Sequence, residues 1–68
     1  MEYAIIKFRE NRTVLIDGEE SGSTNETLTV DEGEHTFSLT GPLNYTPTEQ
    51  TVNIKKTTEI NPKEVVFE

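Results

Sequence analysis

Between Val14 and Leu39 the chain reads VLIDGEESGSTNETLTVDEGEHTFSL, short runs of alternating apolar and polar residues separated by acidic turns that carry glycine. Side chains of a strand point to opposite faces with a period of two, so this pattern builds half-buried strands and not helices. Arg12–Ile16 places Val14 and Ile16 on one face and ends at Asp17-Gly18, the strongest short-range hairpin signal in the chain. Thr27–Val30 turns Leu28 and Val30 inward, and Asp31-Glu32-Gly33 makes the next turn. His35–Thr40 then sets His35, Phe37 and Leu39 against Thr36, Ser38 and Thr40.

The flanking segments extend the pattern. Tyr3–Arg9 is strand-like with Ala4, Ile6 and Phe8 on one face and Tyr3, Ile5 and Lys7 on the other. Both of its faces carry apolar surface, which suits parallel or antiparallel placement equally. Gly41 to Pro47 reads as a loop, punctuated by Gly41-Pro42 and Pro47. Gln50–Lys55 returns to alternation with Val52 and Ile54 inward, a short run after Lys55-Lys56 reaches Ile60, Asn61-Pro62 breaks it, and Glu64–Phe67 is the last strand. The expected fold is all-β: a small antiparallel β-sandwich of about six to seven short strands. It forms one domain over residues 1–68.

Composition narrows the function classes. Six basic residues face thirteen acidic ones, for a net charge of -7, which disfavours a nucleic-acid partner because phosphate contacts require Lys and Arg. Hydrophobic residues make up 31% of the chain, a low share that with this charge leans toward disorder, yet their regular spacing between turn residues argues for a folded chain. The longest apolar run, Ala4 to Ile6, is far too short to span a bilayer, and no basic n-region follows Met1, so no membrane insertion by this segment is expected. A chain starting at Met1 suits a cytoplasmic protein if that start is native, and an extracytoplasmic one if the segment is excised from an exported protein. The absence of cysteine removes disulfides, thiolate catalysis and cysteine-ligated zinc.

The polar residues supply parts without an evident constellation. Asp17, Glu19, Glu20 and Glu26 beside Asp31, Glu32 and Glu34 offer oxygen ligands for calcium, but their spacing is not that of an EF-hand, and acidic residues at turns are ordinarily solvated. His35 is the one histidine, insufficient for a conventional zinc site, and is expected at the rim of the core beside the Gly33 turn. Ser21, Ser23 or Ser38 with His35 would need an oxyanion hole and a nucleophile elbow that the sequence lacks. Gly18-Glu19-Glu20-Ser21-Gly22 has neither the lysine nor the following helix of a phosphate loop. Asn11, Asn25 and Asn44 each open an N-x-Thr triplet and fall near turns, and Tyr3 and Tyr45 are the aromatic residues suited to contacts, with Tyr45 expected to pack over a sandwich edge. No catalytic, cofactor-binding or metal-binding residue is assigned.

The block Glu10-Asn11-Arg12-Thr13-Val14-Leu15-Ile16-Asp17-Gly18-Glu19, then Gly22-Ser23-Thr24, Glu32-Gly33-Glu34-His35-Thr36-Phe37 and Tyr45-Thr46-Pro47, resembles a divergent PEGA domain in order and spacing. That family runs from a Pro-Glu-Gly-Ala turn through a strand ending in Asp-Gly, a Gly-x-Thr-Pro step, a Gly-x-His turn and a Gly-Tyr before the next strand. Here Arg9 and Arg12 replace the Pro and Ala of the namesake motif, Asn11 its glycine, Asn25 the proline of the second step and Asn44 the glycine before Tyr45. The resemblance implies a non-catalytic structural or protein-interaction module, an accessory unit of a larger or surface-associated protein. The expected partner is another protein, with the isolated domain a monomer and no cofactor. The competing reading is a calcium- or carbohydrate-binding β module, the latter weakened by the absence of Trp and the presence of only two Tyr.

Overall fold

The computed structural model of Met1–Glu68 contains seven strands and no helix: β1 (Glu2–Lys7), β2 (Thr13–Ile16), β3 (Glu19–Ser23), β4 (Thr27–Val30), β5 (Gly33–Leu39), β6 (Gln50–Ile54) and β7 (Lys63–Val66). They form two sheets, one in the order β4-β1-β7 and the other in the order β3-β2-β5-β6. The alternation in the sequence sets what lies between them. Ala4, Ile6, Val14, Phe37 and Ile54 are fully buried, and twelve apolar side chains make one continuous core. No buried side-chain nitrogen or oxygen is left without a hydrogen bond, as a small domain with little stability to spare requires.

Three features depart from the expected sandwich. β1 pairs antiparallel with β4 but parallel with β7, Ile6 opposite Val65, so the smaller sheet is mixed. β1 is thus an inner strand with Ala4 and Ile6 in the core and Tyr3 and Ile5 half-buried on the other face, which accounts for its two-sided apolar pattern. The second departure is β3. Its sequence, EESGS, has no apolar residue, so periodicity reads it as turn. It is a strand because Asp17 (φ 53) and Gly18 (φ 87) form a tight two-residue turn of the I′ class, which folds Glu19 back opposite Ile16. The register then shifts at Val14/Leu15, a bulge that leaves Ser21 unpaired. The expected run to Ile60 is no strand at all: residues 55–62 form a connection, and Ile60 is exposed.

At Gly18 the demand is one of backbone conformation and not of space, since a Cβ built there meets no atom within 4 Å. Gly18→Val should therefore cost about 1–3 kcal/mol through backbone strain, while Gly18→Asn, which tolerates positive φ, recovers most of it. Urea unfolding of the two variants compares them directly.

Candidate functional site

The strand order brings the Asp17-Gly18 turn, the Asp31–Gly33 turn and the start of β1 to one end of the sandwich. His35, one of the inward-alternating residues of β5, stands at the rim of the core there with its side chain 15% exposed and its ring 6.3 Å from that of Phe37. Its Nδ1 is 2.7 Å from Asp17 Oδ2 and its Nε2 is 2.7 Å from the Asp31 carbonyl oxygen. Both neighbours accept hydrogen bonds, so satisfying both requires the imidazolium form. The other oxygen of Asp17 accepts from the Thr36 backbone N–H at 2.9 Å. One histidine and one aspartate thus tie two turns and a strand together.

The pair shifts both groups. Hydrogen bonding to Asp17, then to the Asp31 carbonyl, raises His35 above the ordinary imidazole value against the opposing effect of burial. The Thr36 N–H, then His35, holds Asp17 below its ordinary 3.8. A raised histidine stabilises the fold fully below its unfolded value, about 6.5, and less as pH rises through the folded value. A lowered aspartate stabilises above 3.8 and less as pH falls through its folded value. Glu2, lowered by the Thr57 hydroxyl and N–H, adds to the acid limb. The melting temperature should therefore be highest between about pH 4 and 6.5. His35→Gln should flatten the alkaline decline and, because His35 also helps hold Asp17 down, soften the acid one in part, read from thermal melts across the pH range.

Beside this pair lies an open cleft of about 350 Å³, with Ile16 and Val30 in its floor and Asp17, Glu19, Asp31 and His35 around it. The carboxylates do not converge further: no group of three His, Asp or Glu side chains is placed to hold a metal ion. Ser21 lines the same cleft, but its hydroxyl donates to the Glu19 carbonyl, and both nitrogens of His35 are engaged by Asp17 and Asp31. A serine would find no free lone pair on that ring to take its proton.

The opposite end is closed by a different set. Tyr45 is 4% exposed, its ring edge-on to Phe8 at 6.0 Å and to Phe67 at 5.6 Å. Its hydroxyl donates to the Leu39 carbonyl at 2.8 Å and accepts from the Leu39 N–H at 3.3 Å. β6 pairs with β5 only as far as Phe37, so the hydroxyl supplies the partner that Leu39 lacks on that side. Tyr45 is thus a structural post, as the sandwich-edge expectation had it, and not an exposed contact aromatic.

Several structural residues at this end escaped sequence reasoning. Arg12 donates to the Pro42 carbonyl at 2.9 Å, pairs with Glu10, and lies 5.3 Å from the centre of the Phe8 ring. Arg9 donates to the Asn44 carbonyl at 2.8 Å and lies 4.5 Å over Phe8. These arginines fasten the Gly41–Pro47 loop, which gives a physical role to two departures from the PEGA motif. Thr24, 1% exposed, accepts from the Arg12 N–H and donates to the Glu10 carbonyl. Asn25 (φ 65) accepts from the Phe8 N–H and donates to Asn11, so its amide is committed to the fold and poorly placed for a glycan. The signal that pointed to Thr24 and Tyr45 was their place in the motif; the hydrogen bonds themselves join residues far apart in sequence.

Comparison with the curated proteins and with the solved structures gives no match. The model of the PEGA domain matches residues 3–65, nearly the whole length and every element from β1 into β7, so this chain belongs to the PEGA domain family.

Proposed function

We propose that this chain is a non-catalytic protein-interaction module that binds its partner through sheet edges and the acidic end of the sandwich. PEGA domains are small accessory modules of larger proteins, which makes recognition or support the natural task of such a unit. The observation that carries the reading is the commitment of the reactive side chains to the fold: both nitrogens of His35, the buried hydroxyl of Thr24 and the phenol of Tyr45 all bond neighbouring groups of the chain. What stays available is strand backbone at the sheet edges and surface carboxylate, the means of β-strand pairing and electrostatic complementarity. Acidic surface also makes nucleic acid an unsuitable partner.

The test is site-specific photo-crosslinking in the cell of origin, with the reactive residue placed in turn at Thr29, Glu20 and Asn53, three exposed strand positions. A discrete protein adduct at one or two of these positions supports the reading. No protein adduct at any position, or turnover of a small-molecule substrate by the purified chain, contradicts it.

A further inference from the structure

We propose that β4 is the docking edge, and that its occupant is an extended strand of a partner protein bearing Lys or Arg at its ends. This rests on the interaction reading above and names both the surface and the chemistry of the ligand. Four strands end the two sheets: β4, β7, β3 and β6. Three of them carry devices that discourage added strands. β3 is bulged and has Glu19 and Glu20 within it. β7 has Lys63 and Glu64, and its Val66 carbonyl already accepts from the Gln50 amide at 2.7 Å. β6 runs directly into Lys55-Lys56.

β4 has neither a bulge nor a charge within the strand, and the residues that flank it are acidic where β6 runs into lysines. Its sequence is TLTV, with no charge, proline or glycine, and it pairs with β1 in unbroken register from Val30 to Thr27. In an antiparallel pair, alternate residues turn their N–H and C=O groups away from the neighbour, so one side of β4 presents unpaired backbone. The neighbouring outer surface is compatible with a strand: Thr27 and Thr29 are exposed, and Tyr3 and Ile5 lie opposite Thr29 and Thr27 on β1.

Charge selects the occupant. Glu26 precedes β4, Asp31 and Glu32 follow it, and no lysine or arginine lies in the segment from Thr13 to Asn53 that surrounds it in sequence. Two copies pairing antiparallel through β4 would set Glu26 of one opposite Asp31 of the other at both ends, so self-pairing is disfavoured. A strand with basic ends meets opposite charge at both. The cleft gives one of those ends a seat: Thr29, Val30 and Asp31 line it from the β4 side, so a Lys or Arg stem can lie along Ile16 and Val30 with its cationic head between Asp17, Glu19 and Asp31.

The experiment uses the isotope-labelled 68-residue chain and two synthetic peptides, alternating threonine and valine between paired lysines or between paired glutamates. The lysine-ended peptide should slow amide exchange at Thr27–Val30, shift the Asp17 and Asp31 resonances, and bind at least about tenfold more tightly than the glutamate-ended one at low salt. The exposed double variant Glu26→Lys/Glu32→Lys should sharply reduce that preference, while retained spectral dispersion shows it folded. Protection centred on β6 or β3 would overturn the β4 assignment and leave the edge-binding reading standing. Absence of β4 protection at millimolar peptide, or a concentration-dependent homodimer through β4, would also overturn it. Failure of the broader reading shows separately, as the lack of any protein adduct in the crosslinking experiment.

Discussion

Tyr45→Ala should leave the chain largely unfolded at room temperature. The substitution empties the space between Phe8 and Phe67, a loss of about 3–5 kcal/mol for a buried aromatic, and strips both backbone groups of Leu39 of their partner. Each orphaned group adds about 1–3 kcal/mol. A domain of 68 residues has about 3–10 kcal/mol in total, so the sum reaches the whole. Tyr45→Phe separates the two contributions because it keeps the ring and removes only the hydroxyl. It should retain more structure than the alanine variant, with a urea midpoint lowered by the equivalent of about 2–6 kcal/mol for the two orphaned groups and an unchanged slope. Equal behaviour of the two variants would show that the hydroxyl is the dominant contribution and the aromatic packing incidental.

Thr24→Val should be the second most damaging change, although it conserves volume. The hydroxyl bonds the Arg12 N–H at 2.9 Å and the Glu10 carbonyl at 2.8 Å, and so holds the β1–β2 loop against the turn leading into β4. Replacing it with a methyl leaves two backbone groups without partners, a cost of about 2–6 kcal/mol. Thr24→Ser preserves both bonds and should lie within about 1 kcal/mol of the parent chain. Urea unfolding followed by circular dichroism distinguishes these outcomes. A valine variant as stable as the serine variant would mean that water replaces the hydroxyl and that the staple is dispensable.

Both residues show where sequence reading succeeds and where it stops. Period-two alternation identified six strands, because Ala4 and Ile6, Val14 and Ile16, Leu28 and Val30, Phe37 and Leu39, Val52 and Ile54, and Val65 and Phe67 face inward and an alternating burial pattern is local information. β3 escaped it for the same reason: Glu19 to Ser23 bury no apolar side chain, and only the geometry of the Asp17-Gly18 turn forces them into the sheet. The parallel pairing of β1 with β7 was not legible, since a strand facing apolar surface on both sides accepts either direction. His35 was legible as a rim residue, but its two bonds join turns separated along the chain and depend on the folded register. Arg9 and Arg12 read as departures from the PEGA motif, and only the path of the Gly41–Pro47 loop explains them.

The acidic end is where a scaffold and a metal module would differ. Asp17 is engaged by His35 and Thr36, and the Asp31 carbonyl by His35, so the chain's own hydrogen bonds organise the acidic end. The most direct measurement is a proton–nitrogen correlation spectrum of the isolated chain, recorded at pH 6 in chelator and again in millimolar calcium. The account predicts wide dispersion in chelator, with the Asp17–Glu20 and Asp31–Glu34 amides unmoved by calcium. Folding only on calcium addition, or selective movement of those two turns, would contradict it and make the acidic end a cation site.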